Sequence, residues 1–211
     1  MMAYTTPFLD AVAKRRSVYT LTNTSPVSQT RITEIVHEAL KYCPTPFNVR
    51  SNRCIILYGA EHTALWTHTE EIMPSCAPKD LFNLLVPRIG IFKRAYGTVL
   101  FFDDPTTVSN LPDMFKPVFK EFANVHEPAS GMLQFVVWTA LEAEGLGCNL
   151  QHYQPHILPW IRKKYNVPES WTLEAQLVFG EMTEGPGDEP ERTYLEESLK
   201  VFGGSDATGS S

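Results

Sequence analysis

Between Met132 and Ala143 the chain is apolar at most positions, interrupted chiefly by Gln134 and Glu142. Pro128 stands where a first helical turn tolerates proline, and Gly145 stands where a helix can end. The spacing predicts a helix over 127–144, with Met132, Phe135, Val136, Thr139, Ala140 and Ala143 on one stripe. Such a helix is expected at the centre of the fold. It is too short and too interrupted for a membrane span, which takes about 18 apolar residues in a row. The rest of the chain can build a core around it, since 43% of the 211 residues are apolar and 12 Phe, 8 Tyr and 4 Trp are among them. That length suits one domain of ordinary size. The 18 Lys and Arg against 24 Asp and Glu leave a net charge of -6, with no long basic run, so no nucleic-acid footprint is expected.

Other elements follow from punctuation and period. Pro7, Phe8, Leu9, Val12 and Ala13 read as a short helix that Thr6 can cap and that Lys14, Arg15 and Arg16 close. Ser28 precedes Ile32, Ile35, Val36, Ala39, Leu40 and Cys43 at helical spacing, and Pro44 and Pro46 end that helix. Residues 54–58 and 98–102 are compact apolar runs and read as buried strands. Residues 61–94 are helical by composition, with Pro74, Pro78 and Pro87 expected to break them into pieces or kinks. A short helix is predicted near 156–165, then a strand in which Leu173, Ala175, Leu177 and Phe179 alternate with Thr172, Glu174, Gln176 and Val178. Residues 184–191 are loop by composition, 193–202 recover some apolar residues, and 203–211 are expected to be disordered. One domain therefore covers 1–202. Cys43, Cys54, Cys76 and Cys148 form no Cys-x-x-Cys pair, and the basic cluster at 14–16 follows the first apolar residues instead of preceding them. Reduced thiols and no secretory leader are the simplest reading: a cytoplasmic protein, with the nucleus left open.

Three constellations could carry chemistry. Arg15-Arg16-Ser17 concentrates two guanidiniums and a hydroxyl where the chain leaves a helix; the set can hold a phosphate, and cations there also suit the helix dipole without any ligand. Thr45 to Arg50 is a Pro-locked loop whose Asn48 and Arg50 could address the edge of a planar heterocycle, or be ordinary loop residues. In Gly145 to Tyr153, Gly145 and Gly147 allow close backbone approach, and the polar residues Asn149, Gln151 and His152 are costly to bury without partners. His152 and His156 stand four apart, but Pro155 intervenes and no third ligand is near, so no metal is expected. No Gly-x-Ser-x-Gly, Walker or Gly-x-Gly-x-x-Gly motif occurs, and hydrolase, P-loop and Rossmann readings lack their parts.

Taken in order, Arg15-Arg16-Ser17-Val18-Tyr19, Thr45 to Arg50, Gly145 to Tyr153 and Arg192 make the chain resemble the FMN-dependent nitroreductase family over nearly its whole length. Phe47-Asn48, Leu150-Gln151-His152-Tyr153 and Lys200-Val201-Phe202-Gly203 resemble its short branch of fungal fatty-acid-repression-type proteins. The resemblance implies an α+β fold, a small, mainly antiparallel sheet wrapped by helices, in a domain-swapped homodimer with two FMN at its interface and the 193–202 arm crossing to the partner. It implies that Arg15, Arg16, Ser17 and Arg192 grip the ribityl phosphate and that Asn48 approaches FMN from the other subunit. Asn149, Leu150, Gln151 and His152 would line the isoalloxazine, a backbone N–H near His152 facing N5. Tyr19 stands where several branches carry a basic residue near flavin N1 and O2, and Arg50 where Gln is usual, so Arg50 and Arg16 are the candidates for that positive charge. The implied activity is ping-pong transfer of two electrons from NADH or NADPH to a nitroaromatic or quinone, the flavin carrying the chemistry without a protein acid. The alternative is a flavin-binding regulatory or redox-sensing protein with incidental slow turnover.

Overall fold

The computed structural model describes residues 7–76, 78–117, 126–191, 193 and 195–203. Four strands, β1 (Asn52–Tyr58), β2 (Gly97–Asp103), β3 (Gly147–Gln151) and β4 (Thr172–Gly180), form one sheet in the order β1-β2-β4-β3, every pair antiparallel. Around it lie α1 (Pro7–Lys14), α2 (Gln29–Tyr42), α3 (Gly59–Cys76), α4 (Lys79–Lys93), α5 (His126–Ala143), α6 (Leu158–Tyr165) and the short α7 (Leu195–Ser198). Ser28 caps α2 as expected, its Oγ accepting the Arg31 N–H at 3.1 Å.

Both faces of the sheet are covered. Leu65, Trp66, Phe92, Leu100, Tyr153 and Val178 fill one side. On the other, Ile32 and Val36 of α2 and Leu133 and Val137 of α5 meet Val99, Phe101, Leu177 and Phe179. With both faces covered, the alternation that marked β4 does not separate an inner from an outer side: Gln176 and Val178 are as buried as Leu177 and Phe179. The double cover also makes β2 buried along its whole length.

Of the three prolines, Pro78 separates two helices, at the start of α4, while Pro74 and Pro87 lie inside α3 and α4. A helix proline forfeits one backbone bond, and the burial of Met73, Ile89 and Phe92 beside these two offsets that loss. In α5 the fully buried side chains are Ala129, Leu133, Val137 and Leu141. Of the stripe read from the spacing only Thr139 is buried; Met132 and Ala143 are exposed and Phe135, Val136 and Ala140 are half-buried. The helix is apolar on two faces, and periodicity cannot say which of them meets the core.

After α1 the chain runs along the free edge of β3. Ser17 pairs in parallel with Cys148, and Leu21 pairs with Met182. Glycine makes this close approach possible: a Cβ at Gly147 would lie 2.4 Å from Met182 Cγ, and one at Gly180 would lie 2.4 Å from the Thr22 carbonyl oxygen. At the other end of the chain, Leu199, Val201 and Phe202 follow α7 with exposures of 71%, 73% and 88%. The tail expected over 203–211 falls, beyond Gly203, outside the described residues, as do Thr6 and Arg192.

Candidate active site at the edge of the sheet

The pairing of residues 15–22 with β3 brings two of the sequence motifs together. Val18 N–H donates to the Cys148 carbonyl at 2.8 Å. Asn149, fully buried, returns a bond from Nδ2 to the Val18 carbonyl at 2.8 Å, while its Oδ1 accepts Gln151 Nε2–H at 2.9 Å. The polar run of β3 is thus satisfied by itself and by the arginine segment, which explains why Asn149 is tolerated in a core.

The two arginines have different surroundings. Arg16 donates its main-chain N–H to Glu142 Oε2 at 2.9 Å, and its Nη2 donates to the carbonyls of Gly187 and Asp188, so this side chain fastens the 184–191 segment to the sheet edge. Arg15 lays its guanidinium over Trp138, 4.2 Å from the ring centroid, a cation–π contact. Trp138 Nε1–H donates to Glu142 Oε1 at 2.6 Å. Burial raises the Glu142 carboxyl above its usual range, and the Arg16 N–H, the Trp138 N–H and the Arg15 charge pull against that rise. Lys14, Arg15, Glu142, Met182 and Pro186 border a cavity of about 460 Å³ here. Ser17 and Tyr19 are exposed on either side of buried Val18.

Tyr19 begins an aromatic wall. Its ring centroid is 6.4 Å from that of Phe92, which is 6.3 Å from Tyr153, and Tyr153 meets Trp66 edge-on at 5.5 Å. Burial pushes the Tyr153 hydroxyl up to about 12, against the pull of Arg88. Past β3, His152 is exposed with its Nδ1 3.3 Å from the Glu174 carbonyl oxygen, and its main-chain N–H has no acceptor among the described residues. Leu150 is half-buried against the α2–α5 core.

The loop with Asn48 and Arg50 is not part of this cluster. It precedes β1, the opposite edge strand, about 14 Å from β3 at the usual strand spacing. Its backbone is unusual, with φ of 48° at Phe47, 55° at Asn48 and 53° at Arg50. Asn48 N–H to the Thr45 carbonyl (2.9 Å) and Arg50 N–H to Thr45 Oγ1 (3.0 Å) hold that shape, and Phe47 packs on Phe115 at 4.9 Å. A left-handed Phe costs about 1–2 kcal/mol, which these bonds and the ring contact offset. Asn48 and Arg50 are both exposed.

Sequence reasoning missed Trp138, Glu142, Phe92 and Gln176. Glu142 and Gln176 did leave a signal, since each interrupts an apolar stretch and a polar side chain there needs partners. Among the described residues no three or more His, Cys, Asp or Glu side chains converge as metal ligands, and no helix is long and apolar enough to cross a membrane.

An arginine-rich segment laid along the Asn-Leu-Gln edge strand of a four-stranded antiparallel sheet, with helices on both faces, defines an α+β oxidoreductase of the nitroreductase type. The chain belongs to the Nitroreductase family, whose model matches residues 12–181. It is similar to the nitroreductase FRM2 of Saccharomyces cerevisiae, 33% identical over 203 residues that cover 95% of this chain and all of the relative. The nitroreductase CinD of Lactococcus lactis, solved in complex with chloramphenicol, superposes with a TM-score of 0.81 at 32% identity over 92% of this chain and all of its own; CinD has also been solved with nicotinic acid and with 4-nitrophenol. A Desulfovibrio desulfuricans protein in complex with FMN shares the fold, with a TM-score of 0.67 at 17% identity over 94% of this chain and 99% of its own.

Proposed function

We propose that this oxidoreductase holds FMN where residues 15–19 lie along β3, and that it takes electrons from NADH or NADPH and delivers them to a nitroaromatic or quinone. The observation that carries the reading is the pair of hydrogen bonds between segments, Val18 N–H to the Cys148 carbonyl and Asn149 Nδ2–H to the Val18 carbonyl, which lays the Arg15–Tyr19 segment along the polar edge strand. The donor set fits a flavin mononucleotide: Arg15 and Ser17 for a terminal phosphate, Gln151 and the open His152 N–H for a ring edge rich in acceptors. FMN held there would supply two-electron hydride chemistry, and fixed donors at its N1 and O2 edge would favour the reduced form. Support from relatives is the FMN in the Desulfovibrio protein and the small aromatic ligands of CinD.

In this reading Arg15, Ser17 and Arg192 hold the phosphate. Arg16 keeps the 184–191 segment, and through it the approach to Arg192, against the sheet. Asn149, Leu150, Gln151 and His152 line the ring, and the exposed Tyr19, backed by the buried Phe92 and Tyr153, gives flat donors and acceptors an aromatic face. The site is completed by a second copy. Within one chain the Asn48 loop lies at the far edge of the sheet, so Asn48 and Arg50 serve the flavin held by the other subunit. With Arg16 bonded to two carbonyls, the partner's Arg50 is the cation left for N1 and O2. The half-exposed face of α5 and the apolar arm at 193–202 are the surfaces that a homodimer covers.

FMN titration tests the binding site. The native protein is expected to take up about one FMN per chain, and Arg15→Glu to weaken binding by at least tenfold, one charge-assisted bond being worth about 1.5–3 kcal/mol. A native chain that takes up no FMN contradicts the proposal.

A further inference from the structure

Gln176 is fully buried in β4 between the apolar Ala175 and Leu177. Both ends of its amide are used: Oε1 accepts the Tyr153 main-chain N–H at 2.8 Å, and Nε2 donates to Gln154 Oε1 at 2.9 Å. Gln154 in turn donates through Nε2 to the Glu174 carbonyl. The ladder explains why the side chain is needed. β3 pairs with β4 as far as Gln151, opposite Gln176, and there the chain leaves the sheet. The main-chain N–H groups beyond that point have no strand to bond. Gln176 takes the strand's place for Tyr153, while His152 N–H, one residue earlier, stays without an acceptor among the described residues. Two successive peptide groups are thus treated differently, one clamped from the sheet and its neighbour left open at the site that Gln151 borders.

We propose that Gln176 is a positioning residue for the flavin: by clamping Tyr153 N–H it fixes the orientation of the His152 peptide, whose open N–H is then presented to the FMN ring. The inference rests on the FMN reading above. A fixed N–H dipole acts on a reacting ring without reorganising, and a loosened one does not. A leucine of similar size would leave Tyr153 N–H buried and unbonded, which frees the 152–154 segment to turn. A carboxyl group keeps both bonds while it is protonated, accepting through C=O and donating through O–H to Gln154, and loses the donor once ionised.

The test compares native protein, Gln176→Leu and Gln176→Glu, each saturated with FMN, by the midpoint potential of the bound flavin and by its rate of anaerobic reduction with NADH. For Gln176→Leu the potential is expected to move from the native value and reduction to slow at least tenfold, with FMN still bound. For Gln176→Glu, whose carboxyl oxygen accepts the Tyr153 N–H in either ionisation state, both quantities are expected to stay close to native, the rescue that a merely space-filling role would not require. Should Gln176→Leu fail to fold, Gln176→Val, which equally offers no acceptor, takes its place. An FMN-loaded leucine or valine variant with native potential and native rate overturns the inference and leaves the FMN reading standing. A native protein that binds no FMN overturns both.

Discussion

The His62 imidazole, 1% exposed, is held at both nitrogens: Nε2 lies 3.0 Å from the Phe92 carbonyl oxygen and Nδ1 lies 2.9 Å from Thr98 Oγ1. Thr98 Oγ1 already accepts Trp66 Nε1–H at 3.0 Å, so its own hydrogen goes to Nδ1 and the ring is neutral with its proton on Nε2. A second ring proton would face a hydroxyl oxygen already in use, in a buried place, and burial pushes His62 down to about 4 from the usual 6.5. The native pKa lies below the unfolded one, so the unfolded chain binds more protons between them. Stability from this group is complete above the unfolded value and is lost as pH falls toward the native value. Urea unfolding should show roughly 2 kcal/mol less stability at about pH 5 than at about pH 7 from this group. His62→Gln, which can still donate and accept, should lack that share, and equal pH profiles for the two proteins would refute the assignment. At this scale the sequence made residue types legible and hid their directions. Arg15, Arg16 and Ser17 stand out as a set, yet nothing in their order says that Arg16 turns to the Gly187 and Asp188 carbonyls while Arg15 lies over Trp138.

The site exists because one element, the segment after α1, hangs on the edge of β3 and the end of β4. Thr22 N–H donates to the Glu181 carbonyl at 2.9 Å and Thr183 N–H to the Thr20 carbonyl at 3.0 Å. At Gly180 an added methyl would meet the Thr22 carbonyl oxygen at 2.4 Å and the Tyr96 nitrogen at 3.1 Å, both main-chain atoms that cannot swing aside. Gly180→Ala is therefore expected to cost about 1–3 kcal/mol by over-packing and to weaken FMN binding with it. Gly185→Ala, with nothing within 4 Å, is the neutral control. Thermal unfolding and FMN titration of the two variants check this, and a native-like Gly180→Ala would contradict it. Elements with a single clear period were readable: α2 from its cap and its 3.6-residue repeat, β1 and β2 from apolar runs closed by Gly59 and Asp104-Pro105. β3 was not, because Gly-Cys-Asn-Leu-Gln is short, holds no β-branched or aromatic residue and pairs with β4 through its main chain. α5 was found with the wrong face inward, since Leu133 and Val137 compete with Phe135 and Val136 for the core.

For the whole molecule, the homodimer proposed above would account for both the apolar surface left by one chain and the distance of the Asn48 loop from the Arg15 site. Truncation after Glu191 removes Arg192 together with Leu199, Val201 and Phe202, and sedimentation with FMN analysis should show dimer and flavin lost together. A full-length chain that sediments as a flavin-loaded monomer would refute the shared site. Family and fold class were legible because four motifs in fixed order cover nearly the whole chain. Subunit sharing rests on resemblance and stays a proposal, since no residue pattern marks which chain a loop serves. The most direct test of electron transfer is one anaerobic stopped-flow trace of the FMN-loaded protein at the flavin absorbance band. NADH or NADPH is expected to bleach the band, and a nitroaromatic or quinone added next to restore it, both steps fast enough to sustain turnover. A band that neither nicotinamide bleaches over many minutes would contradict the oxidoreductase account and leave a flavin-binding sensor in its place.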